Sequence, residues 1–206
     1  FHPDPVRYPD GLRCVADRID SMGLTPALWI GITHEPGNSE FVKTHPDAVL
    51  AREPFWCGQY IFDITNEIYR KEYVPAAVEK IRDWHYRAVK WDCLPITLWA
   101  TDRYHDCLSD TSVTSEQALR AIVSDVREKL GDDFYMLSCA GAADREIRFA
   151  ADIFDGARIG GDIFTWKEFV EHFAARIVRM YPYHNVLFYC DPDNVVLRKE
   201  HNTLVQ

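Results

Sequence analysis

The 206-residue sequence lacks the patterns that identify several common classes of protein. No apolar run approaches the roughly 20 residues of a membrane-spanning helix, and no C-x-x-C pair indicates a structural zinc site. The histidines are scattered, without the H-x-x-x-H or H-E-x-x-H spacing of a catalytic metal site, so we expect no metal. Basic residues are few, because 23 Lys and Arg stand against 32 Asp and Glu and give a net charge of −9. This balance argues against nucleic acid or an anionic membrane as a partner and is compatible with a neutral substrate.

A glycine-rich phosphate-binding loop is also missing, which bears on the fold. Apolar strands are expected at 26–32, 88–91, 134–139, 157–160 and 185–190, and amphipathic helices at 12–22, 66–84, 114–130, 145–154 and 166–181. Strands that alternate with helices form a parallel sheet with helical crossovers. Two architectures have this pattern, a doubly wound open sheet and an eight-stranded β/α barrel. The open sheet usually carries the missing loop, so the barrel is favoured.

Polar residues follow the expected strands at their carboxyl ends, where a barrel carries its active site. They are Asp92, Ser138, Cys139, Asp162, Asp191 and Asp193. Five strand–helix units cannot close an eight-stranded barrel. We therefore expect residues 1–206 to be part of a catalytic (β/α)8 TIM-type barrel core with about five or six consecutive units, its first strands and last strand lying outside the chain.

Lys90-Trp91-Asp92 ends an apolar strand, which would place the Asp92 carboxylate at the mouth of a barrel. There Asp92 would attack an anomeric carbon while Lys90 holds a sugar hydroxyl. The alternative is an aspartate that caps the turn after a strand, which is a common structural role.

Asp162 ends the second candidate segment, Arg158-Ile159-Gly160-Gly161-Asp162. It would protonate the leaving oxygen, with Arg158 beside it, or else cap the helix that follows. Because Asp92 and Asp162 follow strands that lie two apart, their carboxyl groups can converge on one pocket. A retaining glycosidase needs such a pair about 5–5.5 Å apart, so the two segments together favour this chemistry.

An ordered set of motifs resembles the melibiase clan of glycoside hydrolases, families 27 and 36, whose best-known members are α-galactosidases. In chain order the motifs are Tyr8-Pro9-Asp10-Gly11-Leu12, Leu28-Trp29-Ile30, Asp63-Ile64-Thr65-Asn66, Lys90-Trp91-Asp92, Ser138-Cys139, Arg158 with Asp162, and Asp191-Pro192-Asp193. The resemblance implies an eight-stranded barrel and retaining hydrolysis of terminal α-galactosides. The substrate would be an oligosaccharide or glycoconjugate, and no metal or organic cofactor would take part.

The resemblance also implies roles for individual residues. Asp92 would be the nucleophile and Asp162 the general acid/base. Trp29 would stack on a sugar or else line the barrel. The predicted substrate-binding residues are Lys90, Arg158, Cys139, Trp29 and Gly141.

Two departures from the family pattern leave the specificity open. Family 27 often has Glu after the fifth-strand Cys, where this chain has Ala140, and the third-strand "E-P" is displaced to Thr33-His34-Glu35-Pro36. A small residue at position 140 leaves room for an N-acetyl group on the second carbon of the sugar. The alternatives are an α-N-acetylgalactosaminidase, a related transglycosylase, or a non-catalytic carbohydrate-binding barrel. The sequence also allows a homo-oligomer.

Overall fold

A parallel β-sheet forms the centre of the molecule. The computed structural model describes residues 2–51, 53–55, 58–139, 145, 149–150, 152–162 and 165–192. The strands are Ala27–Ile30 (β1), His34–Pro36 (β2), Gln59–Ile61 (β3), Ala88–Asp92 (β4), Tyr135–Cys139 (β5), Gly156–Arg158 (β6) and Tyr189–Asp191 (β7). The sheet has the order β1-β4-β5-β6-β7 with every pair parallel, while β2 and β3 form an antiparallel hairpin.

The strand order distinguishes the two architectures. A doubly wound sheet reverses its order at a switch point, whereas a barrel adds each strand beside the one before it. In the observed sheet the strands that follow one another in the chain, apart from the β2–β3 hairpin, are also neighbours in space. The predicted fold class is therefore confirmed, with five consecutive parallel strands in barrel order in the part of the chain that is described.

Helices cover one face of this sheet. They are Gly11–Ser21 (α1), Glu40–Thr44 (α2), Val74–Asp83 (α3), Leu94–Arg103 (α4) and Ser115–Leu130 (α5), with a later helical stretch made of Trp166–Glu168, the π-helical Phe169–Ala174 and Ala175–Met180. A second π-helical segment, Tyr69–Tyr73, leads into α3. The helices predicted at 12–22, 66–84, 114–130 and 166–181 overlap these elements, while most of 145–154 lies outside the described residues.

The boundaries of α5 follow from its sequence. The Thr114 hydroxyl accepts a hydrogen bond from the Gln117 backbone N–H at 3.2 Å, and the Gln117 side chain accepts one from the Thr114 N–H at 2.9 Å. This reciprocal capping box satisfies two backbone donors that a helix start leaves open. Gly131, with a φ of 89°, ends the helix because this backbone conformation favours glycine.

The helix α4 that follows Asp92 was not predicted from the sequence. Cys93 takes a left-handed φ of 66°, and Pro95 occupies the first turn of α4, where a missing backbone N–H is tolerated. Asp102 therefore lies in α4, where it forms an ion pair with Arg145. The β2–β3 hairpin was not predicted either.

The strand predicted at 185–190 is shorter than expected. Only Tyr189 and Cys190 of that run belong to β7. The preceding residues turn instead, because Asn185 has a φ of 58° and the N–H groups of Val186 and Leu187 both donate to the Tyr183 carbonyl, at 3.1 and 3.0 Å. Val186 and Leu187 are exposed at this turn, whereas Phe188 is buried.

The two faces of the parallel sheet differ in burial. Val89, Trp91 and Met136 point toward the helices and lie almost wholly buried in the main hydrophobic core. The opposite face, which we call the barrel face, carries a row of Cα partners formed by Trp29, Lys90, Leu137, Gly156 and Tyr189. Side chains alternate between faces along a strand, so the residues of this row share one side. Trp29 is 59% exposed and Tyr189 is 49% exposed, which shows that the barrel face is open.

Candidate active site

A second row on the barrel face lies two residues nearer the carboxyl ends of the strands. It contains Asp92, Cys139, Arg158 and Asp191, since Asp92 partners Cys139 between β4 and β5, and Arg158 partners Asp191 between β6 and β7. The carboxyl ends of the strands form the active face of barrel enzymes. The second row therefore gathers ionisable groups where this fold carries out chemistry.

The turn after β4 holds the Asp92 carboxylate. Its Oδ1 accepts a hydrogen bond from the Cys93 backbone N–H at 2.7 Å. The left-handed conformation of Cys93 costs about 1–3 kcal/mol, so surrounding contacts must maintain it. The Thr97 backbone N–H and Oγ1 both donate to the Cys93 carbonyl, at 3.0 and 2.9 Å. Asp92 is half-buried, so its carboxylate is oriented by this turn but not sealed from a ligand.

Arg158 joins the two halves of the site. Its side chain is nearly buried, Nη1 donates to Cys139 Sγ at 3.6 Å, and Nη2 donates to Asp162 Oδ1 at 2.6 Å. The Asp162 side chain is 70% exposed, so one oxygen is held while the carboxyl group faces open space. A series of neighbours thus runs from Asp92 through Cys139 and Arg158 to Asp162. It bridges β4 and β6, which lie two strand spacings, or about 10 Å, apart.

Cys139 lies buried among the charges of this series. Burial is the main cause that raises the pKa of its thiol, and the negative charge of Asp92 raises it further. The positive charges of Arg158 and Lys90 act in the opposite direction. Because the pKa is raised overall, the thiol is neutral near pH 7 and forms an uncharged wall between the two carboxylates.

The structure gathers most of the predicted site residues on the barrel face, namely Lys90, Asp92, Cys139, Arg158 and Asp162. Trp29 shares a row with Lys90, but it stands on the edge strand β1 with its ring largely exposed. Gly141 lies outside the described residues, as do Ala140 and Asp193.

Sequence reasoning missed one buried residue beside Asp92. His34 is only 9% exposed, and burial lowers the pKa of its imidazole, although the charges of Asp92 and Glu35 act to raise it. The ring is therefore neutral near pH 7 and lies within electrostatic range of the Asp92 carboxylate. The available signal was Gly31, which directly follows β1 and leaves room for a side chain from a neighbouring residue.

A cavity of about 960 Å³ borders the edge strand β1. Its lining includes His34, Glu35 and Tyr73 but neither Asp92 nor Asp162. In the described sheet β1 has a neighbour on one side only, so this cavity marks the open edge of the sheet. The carboxylates lie instead on the barrel face, and His34 stands where the cavity and that face meet.

Among the residues that the structure describes, no cluster of three or more His, Cys, Asp and Glu side chains is arranged to hold a metal ion. The helices in the same part of the chain include none that is long and apolar enough to cross a membrane.

Comparisons with known proteins agree with the barrel. No family model matches the sequence. The structure is similar to an α-galactosidase of Thermus thermophilus solved with stachyose, with a TM-score of 0.69 and 25% identity over 99% of this chain and 46% of that one. It is also similar to a family 27 β-L-arabinopyranosidase of Geobacillus stearothermophilus, with a TM-score of 0.70 and 15% identity over 96% of this chain and 46% of that one.

A family 36 α-galactosidase of Geobacillus stearothermophilus is a third similar structure, with a TM-score of 0.62 and 16% identity over 91% of this chain and 26% of that one. The chain thus spans less than half the length of each of these proteins. All three are glycoside hydrolases of the melibiase clan. The predicted resemblance to that clan is therefore confirmed at the level of the fold.

Proposed function

We propose that residues 1–206 form part of the catalytic barrel of a retaining exo-α-glycosidase that hydrolyses terminal α-galactosides. The observation that carries this proposal is the continuous series from Asp92 through Cys139 and Arg158 to Asp162 at the carboxyl ends of β4, β5 and β6. Retaining hydrolysis needs two carboxyl groups about 5–5.5 Å apart, and Asp92 and Asp162 lie on one open face where such a pair can form. The similarity to α-galactosidases supports the choice of sugar.

The reaction would proceed in two displacements at the anomeric carbon. In the first, an Asp92 oxygen attacks that carbon, the glycosidic bond breaks, and Asp162 gives its proton to the departing oxygen. In the second, Asp162 takes a proton from water, and the water oxygen displaces Asp92 from the sugar. Each displacement inverts the carbon, so the product keeps the α configuration.

The neighbouring side chains would bind and orient the sugar. Lys90 lies two residues before Asp92 on the same face, where its ammonium would donate to a hydroxyl. Arg158 would orient Asp162, which it already contacts, and donate a hydrogen bond to the substrate. Cys139 would supply a neutral contact, while Trp29 and Gly141 complete the proposed substrate-binding set.

Chemical rescue tests the assignment of the nucleophile. Full-length protein and its Asp92→Gly variant would be assayed on 4-nitrophenyl α-galactoside, with and without sodium azide. We expect turnover to fall by at least about 1,000-fold in the variant, because a covalent nucleophile is lost. Azide should then restore release of nitrophenol and give β-galactosyl azide, because it attacks from the face that Asp92 left vacant.

The matched control is Asp133→Asn, which changes an exposed aspartate before β5, at the opposite end of that strand from Asp92's partner Cys139. It should keep wild-type turnover. Parallel assays on α-N-acetylgalactosaminide and β-L-arabinopyranoside substrates would show which sugar is preferred. Wild-type activity in Asp92→Gly without azide would contradict the assignment, and sugar binding without turnover would indicate a carbohydrate-binding barrel.

A further inference from the structure

Gly31 occupies a position on the barrel face beside Asp92. Ile30 is the Cα partner of Trp91, so Gly31 stands level with Asp92 at the end of β1. Side chains alternate along a strand, and Ile30 points into the helix-side core. A side chain at position 31 would therefore point to the barrel face, on the same side as the Asp92 carboxylate.

The imidazole of His34 fills the space that Gly31 leaves. A Cβ atom on Gly31 would lie 1.9 Å from Cε1, 2.6 Å from Nε2 and 2.7 Å from Nδ1 of the His34 ring. Such distances are far below van der Waals contact, so only glycine at position 31 allows this ring position. The chain thus folds back over three residues and places an imidazole, rather than an aliphatic side chain, next to the carboxylate.

The ring is polar, buried and incompletely bonded. Nδ1 of His34 is inaccessible to solvent and has no hydrogen-bond partner among the described residues. A buried polar atom without a partner is costly, and native structures seldom keep one without a use. The ring also lies in the electrostatic range of Asp92 and lines the cavity at β1, so one edge of it borders open space.

Contacts on both sides fix the segment that carries His34. The hydroxyls of Thr33 and Thr97 lie 2.7 Å apart, and Thr97 also donates to the Cys93 carbonyl in the turn that holds Asp92. On the other side, the Tyr73 hydroxyl donates to Glu35 Oε1 at 2.9 Å. The segment that carries His34 is therefore tied to the same turn as Asp92.

We propose that His34 is a substrate-binding residue of this site, whose neutral imidazole forms a hydrogen bond with one hydroxyl of the sugar that Asp92 attacks. This inference rests on the proposed glycosidase function and adds a specificity-determining residue to it. A histidine with a purely structural role would instead form hydrogen bonds from its ring nitrogens to other groups of the protein. Because Nδ1 is closed to solvent, the bond to the sugar hydroxyl would be formed by Nε2, the other nitrogen of the ring that lines the cavity.

The test combines three substitutions at position 34 with substrates that each lack one hydroxyl. His34→Phe keeps a flat ring but removes both nitrogens, while His34→Gln and His34→Asn place an amide near Nε2 and Nδ1, respectively. We expect His34→Phe to lower kcat/KM on the parent α-galactoside by about 10- to 100-fold, as for loss of a hydrogen bond in a buried site. It should cause almost no further loss on the one deoxy substrate that lacks the bonded hydroxyl. One amide variant should recover most of the activity.

Gly31→Ala provides an independent perturbation, because its new methyl group would displace the ring. Like His34→Phe, it should lower kcat/KM on the parent α-galactoside and cause almost no further loss on the deoxy substrate that lacks the bonded hydroxyl. Gly37→Ala is the matched control, since its Cβ would meet the Tyr60 ring at 2.6 Å in the β2–β3 hairpin, not the His34 ring. Equal losses on every deoxy substrate, together with no recovery in either amide variant, would overturn the proposal.

Calorimetric measurement of galactose binding tests the role of His34 independently of whether the protein hydrolyses α-galactosides. If the wild-type protein turns over no α-galactoside but binds galactose in calorimetry, the glycosidase proposal fails while the role of His34 is still measured. Binding weakened by His34→Phe and recovered by one amide variant would support that role. Unchanged binding in all three variants, or no binding of galactose by the wild type, would overturn it.

Discussion

Replacing Thr97 by Val should destabilise the protein mainly because the hydroxyl of another residue, Thr33, loses its hydrogen-bond acceptor. Thr33, Thr97 and the Cys93 carbonyl form a short buried series, in which both threonines are fully buried. Thr97 Oγ1 gives its proton to the Cys93 carbonyl, so Thr33 is the donor in the 2.7 Å contact between the two hydroxyls. Removing the Thr97 hydroxyl therefore leaves the Thr33 donor buried without an acceptor.

The expected loss in the free energy of unfolding depends on which groups lose their hydrogen-bond partners. Cys93 keeps one bond, because the Thr97 backbone N–H still donates to its carbonyl at 3.0 Å. The main cost of Thr97→Val is the stranded Thr33 donor, about 1–3 kcal/mol in the free energy of unfolding. Thr33→Val removes only one donor to Thr97, whose own proton remains bonded, and should cost about 1 kcal/mol. The double variant removes both hydroxyls and should cost no more than Thr97→Val alone.

Urea unfolding of the four proteins measures this coupling. At a constant m value, the double-mutant cycle should give an interaction energy of about 1 kcal/mol or more between positions 33 and 97. Thr101→Val is the matched control, because its hydroxyl donates to the Thr97 backbone carbonyl at 2.8 Å and contacts neither hydroxyl. Its effect should add to that of Thr33→Val. Additive effects of Thr33→Val and Thr97→Val, within about 0.5 kcal/mol, would refute the reasoning.

Three further predictions follow from the burial of His34, the close packing at Gly156 and the open edges of the parallel sheet. Burial lowers the pKa of His34 below its unfolded value of about 6.5, so the unfolded chain takes up the proton first and stability falls as the pH falls through this value. His34→Gln should flatten the dependence of the urea midpoint between pH 7 and 5, and an unchanged profile would contradict the assignment. Gly156→Ala should destabilise by about 1–3 kcal/mol, because its Cβ would lie 2.5 Å from Tyr135 Oη and 2.7 Å from Leu137 Cδ1, and an unchanged unfolding midpoint would refute this. The 206-residue chain alone should self-associate through the edges of β1 and β7, each of which has a neighbour on one side only among the described residues, and a monomer in sedimentation that unfolds cooperatively would refute this.

The sequence was sufficient to predict those helices and strands whose stabilising interactions join residues close together in the chain. The capping box at Thr114 and Gln117 and the stop at Gly131 gave both ends of α5, because each involves groups within a few residues of one another. The apolar run ending in Trp91 was recognisable as a buried strand for the same reason. The order of such strands and helices left two architectures open, and the missing phosphate-binding loop then favoured the barrel.

Elements that depend on distant contacts were less accessible. The run 185–190 reads as a strand, yet the turn that closes on the Tyr183 carbonyl leaves only its last two residues for β7. The start of α4 depends on the left-handed Cys93, whose carbonyl is bonded to Thr97, and Thr97 in turn contacts Thr33, which is 64 residues away in the sequence. Propensity alone does not report a conformation that is held by tertiary hydrogen bonds.

The residues of the candidate site also divide into those that the sequence predicted and those that it did not. Asp92 ends β4 and Asp162 lies four residues after the end of β6, so their place at one edge of a parallel sheet could be anticipated. His34 also comes four residues after a strand, β1, but it begins the β2–β3 hairpin, and its ring can lie at the barrel face only because Gly31 has no side chain. That relation depends on the path of the backbone over three residues, which the sequence pattern did not reveal.

Trapping the covalent intermediate tests the central claim most directly. The full-length protein would be incubated with a 5-fluoro-α-galactosyl fluoride, which forms the glycosyl-enzyme faster than water removes it. Intact-protein mass spectrometry, followed by peptide mapping, should show one fluorogalactosyl group on the peptide that contains Asp92. The Asp92→Gly variant should remain unlabelled. Label on another carboxylate, or turnover of an α-galactoside without any label, would contradict the role assigned to Asp92.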